Sequence, residues 1–132
     1  MREIQDYIGT PFCASGRAYP NFDCWGLARD VAHNLFGSPL LPSFESINPS
    51  SKRSLTHATE SLVVDNLIKV SCPVVGAFAT GWFNGLCLHV GIVVQVDGRL
   101  WVLDTEEGFG GRLNTLEKFA QPYTEVIYYV AT

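Results

Sequence analysis

Apolar residues along this chain follow one period in the first half and another in the second. From Cys24 onward, Leu27, Val31, Ala32, Leu35 and Phe36 recur at helical spacing, while Arg29, Asp30, His33 and Asn34 fall mostly between them. One stripe therefore faces a core and the remainder faces water. Gly37 and Pro39 stop the run, which predicts a helix of about three turns. Upstream, residues 2 to 8 predict a short helix ended by Gly9-Thr10-Pro11. The stretch from Cys13 to Asn21, with Gly16, Pro20 and Asn21, predicts a loop leading straight into Cys24. Residues 38 to 54 carry Pro39, Pro42, Pro49 and repeated serines and predict an irregular surface connection, placed where a lid or cleft wall could form. Residues 55 to 69 then regain a mixed helical character through Ala58, Leu62, Val63 and Leu67.

Beyond residue 70 the period shortens to two. Val74 to Thr80, Leu86 to Val96, Leu100 to Thr105 and Glu125 to Val130 are rich in β-branched and aromatic residues and are bounded by Gly, Asn and Pro, which predicts a small antiparallel sheet. Asp97-Gly98 between two of these runs is a two-residue hairpin signal, because both turn positions want positive φ. That turn sets a register: Val96 opposite Arg99, hence Gly91 opposite Asp104 and His89 opposite Glu106. His89, Gly91, Asp104 and Glu106 then share one face, and Leu88, Val90, Ile92, Val94 and Val96 form the other, wholly apolar one. This places His89 on the side where the helix bearing Cys24 is expected to dock.

A length of 132 residues with 47% hydrophobic content suits one compact domain spanning 1–132. Nine Lys and Arg against 13 Asp and Glu give a net charge of -4, so there is no broad cationic surface for nucleic acid or for an anionic membrane. The first 30 residues contain Asp6, Pro11, Arg17, Pro20, Asp23 and Arg29. They hold no apolar run that could serve as a signal peptide or a membrane span, so synthesis in a cytoplasm without a signal peptide is expected. Cys13, Cys24, Cys72 and Cys87 form no C-x-x-C pair and no zinc-like spacing with histidine, and no metal is expected. Reduced thiols are the default, with Cys13, Cys72 and Cys87 expected as small buried hydrophobes. No internal repeat is present.

Candidate chemistry lies in two distant places. Cys24, in Phe22-Asp23-Cys24-Trp25-Gly26-Leu27, opens the predicted helix, and His89 lies on a predicted strand. A thiolate attacks acyl carbons where a thiol does so poorly, and a helix N-terminus favours the anion by its partial positive charge and free N–H groups. His89 can shuttle the proton. Either residue alone is commonly a buried structural side chain; together with their flanks they read as nucleophile and base. Asp104, diagonal to His89 in the predicted register, can hold the imidazole in one tautomer and stabilise its cation, with Glu106 as the competing carboxylate and an unassisted Cys-His dyad as a further alternative. Asp23 caps the helix through the free N–H groups of its first turn, although its charge taken alone opposes a neighbouring thiolate. His33 and His57 read as solvated bystanders.

Gly9-Thr10-Pro11-Phe12, Gly16-Arg17, Phe22-Asp23-Cys24-Trp25-Gly26-Leu27, Gly76-Ala77-Phe78 and His89-Val90-Gly91-Ile92 resemble, in that order, the motifs of the NlpC-type cell-wall cysteine peptidases. The Asp-Cys-Trp-Gly-Leu form is most similar to members encoded with bacteriophage tail proteins. The resemblance runs from about Tyr7 to Thr105. It implies a papain-like α+β fold, N-terminal helices on a small antiparallel sheet, that hydrolyses amide bonds in peptidoglycan stem peptides, commonly between D-glutamate and a diamino acid. It implies catalysis by Cys24, His89 and Asp104 without a cofactor, and substrate contacts from Tyr19, Asp23 and Trp25. The cysteine preceding the histidine favours the unpermuted hydrolases over the lipid acyltransferases of the superfamily. Two departures stand out. Relatives often carry a tyrosine where this chain has Phe12, and its hydroxyl would have to come from Tyr7 or Tyr19, or else the oxyanion rests on backbone N–H groups. The third catalytic position, counted strictly from the turn glycine, falls on Val102, and Asp104 keeps the same strand face two residues further on. Alternatives are a non-catalytic assembly component of a phage tail or secretion apparatus, and an acyltransferase or deamidase using the same cleft. The short chain implies delivery to the wall by another protein, with specificity carried by the loops 38 to 54 and 106 to 114.

Overall fold

A computed structural model of the protein describes residues 2–44 and 51–132. The chain runs α1 (Ile4–Tyr7), a two-strand hairpin of β1 (Arg17–Ala18) and β2 (Asn21–Phe22), α2 (Cys24–Phe36), α3 (Lys52–Asp65) and β3 (Leu67–Val70). There follow β4 (Phe78–Phe83), β5 (Leu86–Val96), β6 (Arg99–Glu106), β7 (Gly110–Thr115), α4 (Leu116–Ala120) and β8 (Glu125–Ala131). Six strands form one sheet in the order β3-β8-β4-β5-β6-β7, each pairing antiparallel with its neighbour.

The helix carrying Cys24 has the predicted extent, and Gly37 closes it in the left-handed region at φ 70, a conformation that glycine adopts without a Cβ penalty. The hairpin turn is also as predicted: Asp97 and Gly98 have φ of 52 and 77, and Val96 pairs with Arg99 while Ile92 pairs with Leu103. Elsewhere the boundaries move. The helix expected over 55–69 begins at Lys52 and ends at Asp65, and Leu67–Val70 becomes a strand because its backbone pairs with β8. The strand expected over 74–80 starts only at Phe78 and runs to Phe83. Of the segment 38–54 expected to be irregular, 38–44 is without regular structure, 52–54 is helical, and 45–50 lies outside the described residues, as does any lid formed there.

The sheet separates two buried layers. Cys24, Trp25, Leu27, Ala28 and Val31 of α2 share one cluster with Leu55 and Leu62 of α3 and with Val90, Ile92, Val94 and Leu103 of the sheet. Each such fully buried aliphatic side chain contributes about 1.5–3 kcal/mol by leaving water. On the other face, Val93 and Val102 pack with Ala77, Ala79 and Phe119 of α4. This corrects the expected docking side. The flank of α2 lies on the apolar row Val90, Ile92, Val94, and His89 belongs to the opposite row, because a wholly apolar strand face buries far more surface against a helix than one interrupted by His89 and Gly91.

Two of the three cysteines expected as core hydrophobes are also displaced. Cys13 and Cys72 are exposed and only Cys87 is buried; Cys13 sits in the turn before Gly16 and Cys72 in the bend after β3, where no sheet or helix face covers them.

Candidate active site

The thiol is positioned by a short contiguous stretch. Asp23 is the N-cap of α2, and its Oδ1 accepts from the backbone N–H of Gly26 at 2.8 Å. Its other oxygen pairs with Arg17, whose guanidinium also donates to the carbonyls of Gly16 and Phe44. Arg17 thus pairs with a fully buried carboxylate in the residue before the thiol. Gly26 has to be glycine for a different reason. A Cβ there would lie 2.0 Å from the carbonyl oxygen of Gly16, so the loop is pressed directly on the first helical turn. Gly16 and Arg17, Asp23 and Gly26 are one mechanical unit, and Cys24, the first residue of the helix, is 4% exposed on it.

The imidazole is positioned by three strands. His89 on β5 reaches across to β6, where its Nε2 meets Asp104 Oδ2 at 2.7 Å. A carboxylate only accepts, so Nε2 carries its hydrogen and Nδ1 is the nitrogen left for a second partner. Asp104 Oδ1 accepts from Arg112 Nε at 3.1 Å and Asn114 Nδ2 at 3.2 Å, both on β7. Arg112 extends its other arm to Glu106 at 2.8 Å. Glu106, the rival carboxylate, stands 3.9 Å from His89 Nε2 and is half-exposed, too far for a hydrogen bond. Phe119 of α4 stacks on the imidazole at 5.7 Å between centroids. Burial works against charge on His89, but hydrogen bonds to Asp104 and Cys24 and the negative charge of both outweigh it, and the ring is pushed up from 6.5 to about 10.

Thiol and imidazole meet although they belong to opposite sheet rows. Cys24 and His89 both line a cleft of about 240 Å³ together with Phe12, Lys52, Thr105, Glu106 and Glu107. The helix end, unlike its flank, leaves its first residue open to this cleft. The structure therefore brings Cys24, His89 and Asp104 together. Cys87, the other buried thiol, is pushed up to about 11 by burial, and its sulfur is spent on the His89 carbonyl at 3.7 Å; it stays a neutral thiol near neutral pH.

The residues expected as substrate contacts lie elsewhere. Asp23 is wholly buried and occupied by Gly26 and Arg17. Trp25 is 5% exposed, donates its indole N–H to the Pro42 carbonyl at 3.1 Å, and packs on Phe44 and Phe78. Tyr19 turns outward against Tyr7 and Phe22, with its hydroxyl on the Asp6 carbonyl at 3.1 Å. None of the three lines the thiol cleft. Nor does either tyrosine supply the hydroxyl missing at Phe12. Phe12 itself lines the cleft, while the buried Tyr7 donates to Asp30 at 2.6 Å.

Sequence reasoning missed the second layer of support. Arg112 and Asn114 fall in the segment 106–114 taken for a loop, whereas Gly110–Thr115 is a strand pairing with β6, Arg112 directly opposite Asp104. The available signal was a second turn, Gly108 and Gly110, both with positive φ, followed by alternating Arg112, Leu113 and Asn114. The strand also meets the N-terminus: Gly111 exchanges backbone hydrogen bonds with Gly9 and Thr10. A Cβ on Gly111 would lie 2.0 Å from the Tyr7 carbonyl oxygen, and this close seam carries Phe12 to the cleft. Among the described residues no group of three or more His, Cys, Asp or Glu is arranged to hold a metal ion.

A thiol at a helix start that shares a cleft with an imidazole oriented by a buried carboxylate is an arrangement able to support nucleophilic acyl transfer. It sits on an α+β, papain-like framework of helices packed against an antiparallel sheet. The chain is similar to a solved structure of the NlpC/p60 domain of the peptidoglycan hydrolase SagA, with a TM-score of 0.61 over 98% of this chain and 92% of that one, at 21% identity. No protein-family model and no curated protein matches the sequence.

Proposed function

We propose that this chain is a cysteine peptidase of the NlpC/p60 family that hydrolyses amide bonds in peptidoglycan stem peptides. The observation that carries the reading is the convergence of Cys24 and His89 on one cleft, with Asp104 hydrogen-bonded to the imidazole, in a chain whose fold is similar to that of a peptidoglycan hydrolase domain. Cys24 attacks the amide carbonyl as the thiolate, and its proton passes to His89 Nδ1. Backbone N–H groups at the start of α2 face the developing oxyanion, since Phe12 offers no hydroxyl. The tetrahedral intermediate collapses with breakage of the C–N bond, and His89 gives its proton to the departing nitrogen. Water, activated by the same imidazole, then frees Cys24 from the acyl group. Asp104 keeps Nε2 protonated and Nδ1 aimed at the sulfur throughout.

The bond between D-glutamate and the diamino acid is the proposed point of cleavage. The proposed place of action is the cell wall, reached with the help of a delivering protein such as a phage tail or secretion machine. Incubation of purified peptidoglycan with the protein, followed by mass spectrometry of the soluble fragments, tests both activity and bond. Cys24→Ala is expected to abolish fragment release, a loss of roughly a thousandfold or more, with an unchanged melting temperature. Undiminished release by that variant would falsify the proposal.

A further inference from the structure

Next to His89, β5 holds one residue more than the strand it pairs with. Thr80 pairs with Val90 and Gly81 with His89, whereas Trp82 pairs with Cys87, so Leu88 has no opposite number on β4. A single inserted residue of this kind is a β-bulge, which bends the strand and re-aims its side chains. Cys87 packs in the layer of α2 and α3 together with Val90, Ile92 and Val94. In an unbroken strand residues two apart share a face, and His89 would follow Cys87 into that apolar layer. The extra residue at Leu88 instead sends the imidazole to the other face, where Phe119 stacks on it and Asp104 meets its Nε2.

A bulge interrupts the ladder, and the backbone groups at the break need partners from elsewhere. Two residues of α3 supply them. Lys52 donates from Nζ to the Leu88 carbonyl at 2.8 Å, and the Cys87 N–H donates to Thr56 Oγ1 at 2.8 Å. Lys52 and Thr56 are four positions apart and so share one helix face, and the Thr56 hydroxyl donates in turn to the Lys52 carbonyl at 2.7 Å. The Cys87 thiol closes the bulge from within, donating to the His89 carbonyl at 3.7 Å. Lys52 reaches the wall of the thiol cleft, but Thr56 is buried and does not line it. Any effect of Thr56 on cleavage therefore travels through the strand. We infer that Lys52 and Thr56 are positioning residues: by clasping the bulge at Leu88 they fix the direction in which His89 leaves β5, and with it the line from the imidazole to Cys24. The part His89 plays in cleavage comes from the hydrolase reading, on which this inference rests.

The test sets Thr56→Val, which keeps the shape of the side chain without its hydroxyl, beside Thr56→Ser, which keeps the hydroxyl. Two quantities are read on each: the NMR titration of the His89 ring without substrate, and kcat and KM for a soluble stem peptide. Thr56→Val is expected to move the His89 titration down from about 10 toward 6.5, as the ring loses its alignment with Asp104. It is also expected to lower kcat roughly 10–100-fold, the cost of a misplacement of about 1 Å, with KM unchanged. Thr56→Ser is expected to match the wild type in both. Lys52→Met, which reaches as far but donates nothing, is expected to move the titration the same way, and it decides the matter if Thr56→Val does not fold. An unmoved His89 titration in the folded variant overturns the inference. So does a moved titration with undiminished kcat, or a Thr56→Ser protein as impaired as Thr56→Val. A wild type that cuts no stem peptide counts against the hydrolase reading, and the titration of the ring then still decides whether α3 positions it.

Discussion

The two halves of the candidate site are built in opposite ways. The thiol is placed by residues 16 to 26, where a cap, an ion pair and a glycine contact all fall within eleven positions of one another in sequence. The imidazole is placed by His89, Asp104, Arg112 and Asn114, spread over three strands and joined by a register that begins at the Asp97-Gly98 turn. One half is a local motif wrapped round a helix end; the other is a ladder of side chains crossing a sheet. The difference means that damage to the first is felt as loss of stability, because it strands one member of the buried Arg17–Asp23 ion pair. Damage to the second is felt as loss of chemistry, because its members orient a proton carrier.

The contrast is sharpest at Asp104. Asp104→Ala leaves His89 without its orienting acceptor and is expected to lower kcat/KM for stem-peptide cleavage by roughly 10²–10⁴-fold, with folding retained as judged by circular dichroism. A loss of less than tenfold would show that Cys24 and His89 work as a dyad. Asp23→Asn tests the other half. It keeps a capping oxygen but strands the buried Arg17 guanidinium, whose side chain is 6% exposed, and is expected to destabilise the fold by about 3 kcal/mol or more in urea titration. An unchanged urea midpoint would mean that the loop 16–23 is not held by this pair.

Acidity separates the halves again. His89 is raised from 6.5 to about 10 by Asp104 and Cys24 against the effect of burial. A group whose folded value lies above its unfolded one adds stability that is complete below the unfolded value and is lost as pH rises through the folded value. The stability gap between wild type and His89→Gln should therefore shrink between pH 6.5 and 10. Cleavage should likewise hold up through neutral pH and decline as pH rises through about 10, when the proton donor for the leaving amine is lost; a decline centred near 6.5 would contradict the coupling. The smallest effect is expected at the rival carboxylate. Glu106→Gln removes a group 3.9 Å from the ring and should change kcat/KM by no more than about threefold, the worth of an exposed charge. A loss matching that of Asp104→Ala would exchange their roles.

Much of this was legible in the chain before any coordinates. Helical spacing from Leu27 to Phe36 gave the extent of α2, because an amphipathic stripe has only one way to bury itself. Asp97-Gly98 gave the hairpin and the sum that brings Asp104 within reach of His89, because a two-residue turn with both φ positive leaves no freedom of register. What escaped was non-local. Nothing in Leu67–Val70 distinguishes the tail of a helix from a strand until β8 offers its backbone. Residues 110–115 look like loop until β6 pairs with them, and with them went Arg112 and Asn114. Tyr19 and Trp25 carry polar tips that read as ligands for a substrate, yet one turns outward onto a backbone carbonyl and the other is satisfied inside the core. The side of the sheet on which α2 docks was misjudged for the same reason: alternation along a strand defines two faces, and only the packing of both layers decides which receives the helix.

What the sequence determined on its own was therefore the placement of a thiol at the head of a helix and of an imidazole on a strand, since caps, turns and periodicities act over a few residues. The tertiary structure alone decided that the two meet at the open end of α2, across sheet rows that alternation keeps apart. It alone decided that a third strand steadies the carboxylate behind the ring, because contacts between segments far apart in sequence form only once the hydrophobic layers on both faces have closed.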